Sequence, residues 1–211
     1  QIIAQEDVSI DVVSGGELYL AKQAGFPSNK INFHGNNKSK TELISALDYN
    51  IGYFIVDNFH ELDMLNELTK ERKQMTKVLI RVTPGVDADT HKHILTGNVD
   101  SKFGFDLQSG QAEKAVRIAM EAEYLQLDGL HMHIGSQIFE SDSYILAMKH
   151  ILDYVIEWNR QFNFTLDIFN IGGGFGIQHI PDKQEKLAEN QLEEIGTELT
   201  RLFDEIGLPY P

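Results

Sequence analysis

Leu130-His131-Met132-His133-Ile134-Gly135-Ser136-Gln137 and Asn170-Ile171-Gly172-Gly173-Gly174-Phe175-Gly176 decide how this 211-residue chain is read. Each follows an apolar, strand-like run and ends in small residues, where a chain turns and presents its backbone. Alternation along the first sends Leu130 and Met132 to one face and His131 and His133 to the other. A strand with apolar residues outside and histidines inside suits a barrel whose strand ends line an active site. The glycine run offers unhindered N–H groups, which is what a phosphate needs. Together the two stretches point to a phosphorylated cofactor beneath a histidine.

Working outward, strand and helix patterns alternate with little interruption. Strand-like runs at 8–13, 30–33, 53–56, 77–82, 125–133 and 165–171 are each followed by a helical pattern, at 17–24, 40–47, 60–70, 109–122, 141–160 and 191–206. Ser39 is placed to cap the second helix. A long polar connection at 86–104 exceeds an ordinary linker and reads as a functional loop or lid, and 179–189 reads as irregular. Six βα units in strict order predict an α/β fold with a parallel sheet under covering helices. A closed (β/α)8 barrel of the TIM type typically takes about 250 residues. The chain is therefore either a six-stranded open sheet or a barrel clipped at one or both ends. Barrel phosphate sites usually follow the last strands, and one further strand upstream would give the glycine run that place.

The composition closes several routes. A formal net charge of −14 opposes binding to nucleic acid or an anionic membrane. The acidic stretch Glu185 to Glu194 reads as a solvated helix face. Cysteine is absent, which removes disulfides, thiol nucleophiles and thiolate metal sites and fits a reducing cytoplasm. No apolar run approaches the ~20 residues that span a bilayer. The chain opens on Gln1 without a signal pattern or an initiator methionine, as a fragment or a trimmed chain would.

Each candidate residue has a plain alternative. His131 and His133 are satisfied core histidines, two ligands of one metal at i, i+2, or a ring stacked on a flat cofactor. His91 and His93 repeat that spacing inside the long loop. Arg81 ends the apolar strand Val78-Leu79-Ile80 and needs either an anion or a structural salt bridge. Asp11 lies in a strand-like run, where aspartate is a poor fit, so it serves a function or a network. Glu17 reads on its own as an acid favoured by a helix N-terminus. The triple glycine is either a bare turn or a phosphate cradle.

In order along the chain, several stretches resemble the barrel-fold, pyridoxal-phosphate-dependent diaminopimelate decarboxylases. They are Asp11-Val12-Val13-Ser14-Gly15-Gly16-Glu17-Leu18, Phe33-His34-Gly35-Asn36-Asn37-Lys38-Ser39, Ile80-Arg81-Val82-Thr83-Pro84-Gly85, Thr90-His91-Lys92-His93, Asp100-Ser101-Lys102-Phe103-Gly104-Phe105 and the two opening motifs. The histidine and glycine motifs are shared with ornithine and arginine decarboxylases of the group. The Phe-His-Gly-Asn-Asn-Lys, His-Lys-His and Asp-Ser-Lys-Phe-Gly-Phe stretches point to diaminopimelate.

The resemblance implies roles. His133 would stack on the pyridine ring, Ser136 with Gly172, Gly173 and Gly174 would hold the phosphate, and Asp11, Glu17 and Arg81 would surround the ring and its lysine linkage. No metal ligand set is implied. meso-Diaminopimelate would lose carbon dioxide to give L-lysine, the last step of bacterial lysine synthesis, the cofactor taking up the released electrons. A homodimer and a cytoplasmic setting are implied too.

The resemblance also places a Schiff-base lysine on a barrel strand upstream of Asp11, and a Glu-Pro-Gly-Arg motif just beyond Leu208-Pro209-Tyr210-Pro211, followed by a C-terminal β-domain. On that expectation residues 1–211 are the incomplete barrel domain, inactive alone. Lys102 lies in a loop motif and is not given the missing lysine's role. The alternatives are an ornithine, arginine or carboxynorspermidine decarboxylase, a metal-dependent barrel hydrolase using His131 and His133, and a non-enzymatic partial barrel acting as a binding module.

Overall fold

Continuous apolar runs make the strands. Phe54-Ile55-Val56 of β3 (Tyr53–Val56) and Val78-Leu79-Ile80 of β4 (Thr76–Thr83) are buried throughout, the pattern of a parallel sheet with both faces covered. The computed structural model describes residues 5–6, 8–85, 103–177 and 188–211. It carries β1 (Ile10–Val12), α1 (Gly15–Gln23), β2 (Ile31–Phe33), α2 (Lys40–Tyr49), β3, α3 (Phe59–Arg72) and β4. A two-residue β5 (Phe105–Asp106) follows, then α4 (Gln111–Glu121), β6 (Leu125–His131), α5 (Ser141–Phe162), β7 (Ile168–Asn170) and α6 (Ala188–Ile206). The six expected βα units are all present, and the α/β fold is that of an incomplete barrel.

The chain divides into two compact units, residues 1–81, 102–105 and 112–128 forming one and residues 82–101, 106–111 and 129–211 the other. In the first unit the strands run in the order β1-β2-β3-β4-β6. Its parallel registers set Ile10 beside Ile31, Val12 beside Phe33 and Val56 beside Ile80. Helices α2 and α3 cover this sheet with Leu43, Ala46 and Leu47, and with Leu62, Leu65 and Leu68, all buried. In the second unit the end of β6 pairs with β7, Leu130 beside Phe169 and His131 beside Asn170. There α5 packs on α6 and buries Tyr144, Met148, Ile151, Val155 and Trp158. No helix among the described residues is long and apolar enough to cross a membrane.

Several element ends differ from the sequence reading. β1 and β7 are shorter than the runs at 8–13 and 165–171, and α1 starts at Gly15 rather than at Glu17. β6 stops at His131, so His133 lies beyond the strand. Leu130, His131 and Met132 are all buried, while His133 is exposed, so exposure does not separate an apolar face from a histidine face. A strand covered on both faces does not sort alternate residues by solvent. His91, His93 and Lys102, most of the 86–104 connection, and residues 179–187 of the irregular stretch lie outside the described residues.

Capping decides where the first helices begin. Ser14, Ser39 and Asn58 each adopt extended backbone and accept a hydrogen bond from the residue three positions on, satisfying an N–H that the helix cannot. At α2 the exchange is reciprocal. Glu42 Oε2 accepts from Ser39 N at 2.9 Å, and Glu42 Oε1 reaches across to accept from Gly15 N at 2.7 Å. One carboxylate thus caps its own helix and ties down the start of α1. Those bonds, Ser39 N first and Gly15 N second, hold the Glu42 carboxyl below its ordinary value. Because the folded-state value is depressed, the wild-type advantage is full above about pH 4.5 and is lost as pH falls through the lowered value. Urea unfolding of Glu42→Gln is expected to show a loss of about 1 kcal/mol at pH 7, shrinking toward zero in acid. A loss that stays constant down to pH 3 would contradict this account.

Candidate active site

In the second unit the two opening motifs are zipped together beyond the ends of β6 and β7. Met132 N donates to Asn170 O at 2.9 Å, Ile138 N to Gly174 O at 3.0 Å, and Gly176 N to Ile138 O at 2.8 Å. These bonds make Ile138 and Phe175 a parallel bridge. Gln137, held at φ +57°, adds a side-chain rung, its Oε1 accepting from Ile177 N at 3.0 Å. The loop carrying His133 and Ser136 therefore lies directly along the loop carrying the glycines.

The contact is too close for side chains. A Cβ at Gly174 would sit 1.9 Å from Gly135 O, and one at Gly172 would sit 2.4 Å from Met132 O. Both have positive φ, +95° and +76°, so both positions need glycine. Gly173 differs, with nothing within 4 Å of the Cβ it lacks. Open space lies over the middle of the run, and the exposed His133 borders it, its Cε1 3.3 Å from the Cβ position of Gly174. This is a cradle walled by backbone with an imidazole at its side, which fits a phosphorylated aromatic cofactor. Gly172 is occupied otherwise than expected: its N–H donates to Asn170 Oδ1 at 2.9 Å and shapes the turn.

The first unit holds the remaining expected residues. Asp11 Oδ1 accepts from Asn32 Nδ2 at 3.0 Å and lies 3.3 Å from His34 Nε2, so it belongs to a polar group at the ends of β1 and β2. Glu17 Oε2 accepts from Val13 N at 2.7 Å, stiffening the turn into α1. Arg81 has the salt bridge its alternative reading demanded: Nη1 lies 2.9 Å from Asp57 Oδ1, and its guanidinium stands 4.7 Å from the centre of the Phe103 ring. Asp57 Oδ2 also accepts from Gly104 N at 3.0 Å.

Behind Arg81 is a buried pair that the sequence reading did not single out. Lys38 Nζ donates to Glu61 Oε1 at 2.7 Å and to the carbonyls of Gly35 and Ile55, each at 2.8 Å. Glu61 Oε2 accepts from Asp57 N at 3.0 Å. The side chains of the pair are 1% and 2% exposed. Burial pushes the Lys38 ammonium below its ordinary value and the Glu61 carboxyl above its own, each partner's charge opposing the shift. A signal for Glu61 was available: it precedes Leu65 and Leu68 at i+4 and i+7, a charged residue inside an apolar helix stripe.

Among the described residues no group of three or more His, Asp or Glu stands together as a metal site, and His131 is buried where His133 is exposed. The chain matches over residues 1–209 the model of the pyridoxal-dependent decarboxylases, pyridoxal-binding domain. It belongs to that family. The diaminopimelate decarboxylase of Bacillus methanolicus is 46% identical over the whole chain and 49% of its own length. That of Bacillus subtilis (strain 168) is 48% identical over 92% of the chain and 44% of its own length. Among solved structures, diaminopimelate decarboxylase from M. jannaschii, also solved in complex with L-lysine, matches 98% of the chain and 48% of its own, with 38% identity and a TM-score of 0.88. The chain thus spans about half the length of the relatives it matches.

Removing Lys38 alone strands the Glu61 charge in the interior. Lys38→Met is expected to cost about 3–5 kcal/mol in urea unfolding. Lys38→Met with Glu61→Leu removes the stranded charge and is expected to recover part of the loss. It remains about 2 kcal/mol below wild type, because the carbonyls of Gly35 and Ile55 lose their donor. A double variant no more stable than the single one would show that the pair's charge is not what the fold balances.

Proposed function

We propose that the chain carries the cofactor-binding part of an enzyme that decarboxylates meso-2,6-diaminopimelate to L-lysine with pyridoxal 5′-phosphate. The observation that supports this most is the glycine cradle zipped against the His133 loop, on a chain 46% identical to a diaminopimelate decarboxylase. When bound, pyridoxal phosphate supplies the electron sink for the carbon–carbon bond that breaks.

The chain's own residues then have distinct tasks. Backbone N–H groups of Gly173 and Gly174, with Ser136, would hold the phosphate, while Gly172 shapes the turn through its bond to Asn170. His133, exposed beside the run, would stack on the cofactor's aromatic ring and help orient it. On the same reading Asp11, Glu17 and Arg81 make the polar contacts to the cofactor, and each is held within its own unit by the bonds described above. Arg81 in particular presents a guanidinium whose direction Asp57 and Phe103 have already set. The reading carries with it a homodimeric assembly and a cytoplasmic setting.

The test is carbon dioxide release by the complete polypeptide that carries this sequence, loaded with pyridoxal phosphate and offered meso-diaminopimelate, ornithine and arginine in parallel. Release from meso-diaminopimelate alone is the expected result. Release from ornithine or arginine instead would overturn the substrate, and release from none would overturn the reaction. Within the active protein, His133→Ala is expected to lower the decarboxylation rate by about a hundredfold, through lost positioning of the ring, and to weaken cofactor retention on dialysis. A variant with wild-type rate and retention would remove His133 from the site.

A further inference from the structure

A side chain outside the expected site holds the glycine run from beneath. Tyr144, in the first turn of α5, is fully buried. Its hydroxyl donates to Gly173 O at 3.0 Å, and its ring stacks on Phe175 with centroids 5.0 Å apart and planes 19° apart. The next carbonyl along, Gly174 O, is held by Ile138 N. Both carbonyls of the Gly173-Gly174 pair are therefore fixed by groups of the second unit.

The consequence follows from peptide geometry. No described peptide bond is cis, and in a planar trans peptide the C=O and the following N–H point in opposite directions. With Gly173 O drawn toward the buried hydroxyl, the Gly174 N–H must point the other way. Nothing lies within 4 Å of the Cβ that Gly173 lacks, which leaves an anion room at the middle of the run, and the side of the Gly173 carbonyl is filled by buried Tyr144. Gly172 N–H is already given to Asn170 Oδ1. The donor that Tyr144 controls is thus Gly174 N–H, not that of the first glycine.

We propose that Tyr144 is a positioning residue: its hydroxyl fixes the Gly173 carbonyl and so presents the Gly174 N–H to the cofactor's phosphate. This rests on the reading of the glycine run as a phosphate cradle. Glycine is the residue whose peptides turn most freely, so an unanchored triple glycine would meet a phosphate at an entropic cost that the hydroxyl removes in advance. Burial also raises the Tyr144 phenol above its ordinary value, which keeps the group protonated and a donor across the physiological range.

The experiment compares Tyr144→Phe with wild type in the complete polypeptide, titrating pyridoxal phosphate, pyridoxal and inorganic phosphate by absorbance and intrinsic fluorescence. The variant is expected to bind pyridoxal phosphate and inorganic phosphate about tenfold more weakly, the loss of one oriented hydrogen bond. Pyridoxal, which lacks the phosphate, is expected to bind within about twofold of wild type. The bound phosphate's 31P resonance is expected to move between wild type and variant. Phe175→Leu serves as the control: it removes the stacked ring, leaves the hydroxyl, and is expected to lower thermal stability without separating the phosphorylated from the unphosphorylated ligand. Equal loss for pyridoxal phosphate and pyridoxal in Tyr144→Phe, or no loss for either, would overturn the assignment. A wild-type protein that binds none of the three would overturn the cradle reading itself and this inference with it.

Discussion

The Lys38–Glu61 pair is the constraint on which the first unit turns. Two opposite charges lie in the interior, where bringing each from water costs several kcal/mol. The arrangement is tolerable because every strong group has a partner. Lys38 gives its three protons to Glu61, Gly35 O and Ile55 O. Those acceptors sit past the end of β2, in β3 and in α3, so one ammonium fixes three pieces of backbone. Glu61 spends its second oxygen on Asp57 N, and Asp57, so oriented, meets Arg81. A hydrophobic pair of similar volume would fill the space without specifying these directions.

The second unit reaches rigidity by other means. Its motif loops are fastened by backbone bonds, with Gln137 and Asn170 contributing side-chain oxygens where backbone partners run out. That solution demands close approach, and close approach demands glycine: a methyl group at 174 would overlap Gly135 O. The glycines of the run are therefore what let the two loops touch. A flexible residue has become part of a stiff structure because its neighbours leave it nowhere to turn.

What the sequence made legible follows the range of each interaction. The six βα units were readable because continuous apolar runs such as Val78-Leu79-Ile80 and capping residues such as Ser39 act over a few positions. The glycine and histidine motifs were readable because few residue types suit a backbone cradle. Their pairing was not, since Ile138 and Phe175 are neighbours only through the packing of two distant loops. Asp57 looked like any residue between a strand and a helix, and its role appears only when Arg81 and Gly104 arrive from elsewhere in the chain. Tyr144 looked like one apolar position of an amphipathic helix, and its hydroxyl has a purpose only once Gly173 O lies above it. The strand end at His131 was misplaced because alternation continues past the last ladder residue, and alternation carries no stop signal.

Lys38 also shows why a shifted ionisation is not by itself a mark of chemistry. Pyridoxal enzymes link their cofactor through a lysine, and a buried lysine held below its ordinary value is the kind of group such a role calls for. Yet a nucleophilic lysine needs a lone pair and a path to the substrate. Lys38 is 1% exposed at its side chain, and its three acceptors occupy all the directions in which Nζ can donate. Deprotonation would leave at least one of those acceptors without a donor and Glu61 without its counter-charge, so the surroundings oppose the neutral amine that burial favours. The same bonds that make Lys38 a good brace for Arg81 make it a poor nucleophile. What the structure gives it is a bracing part, through Glu61 and Asp57, in holding Arg81.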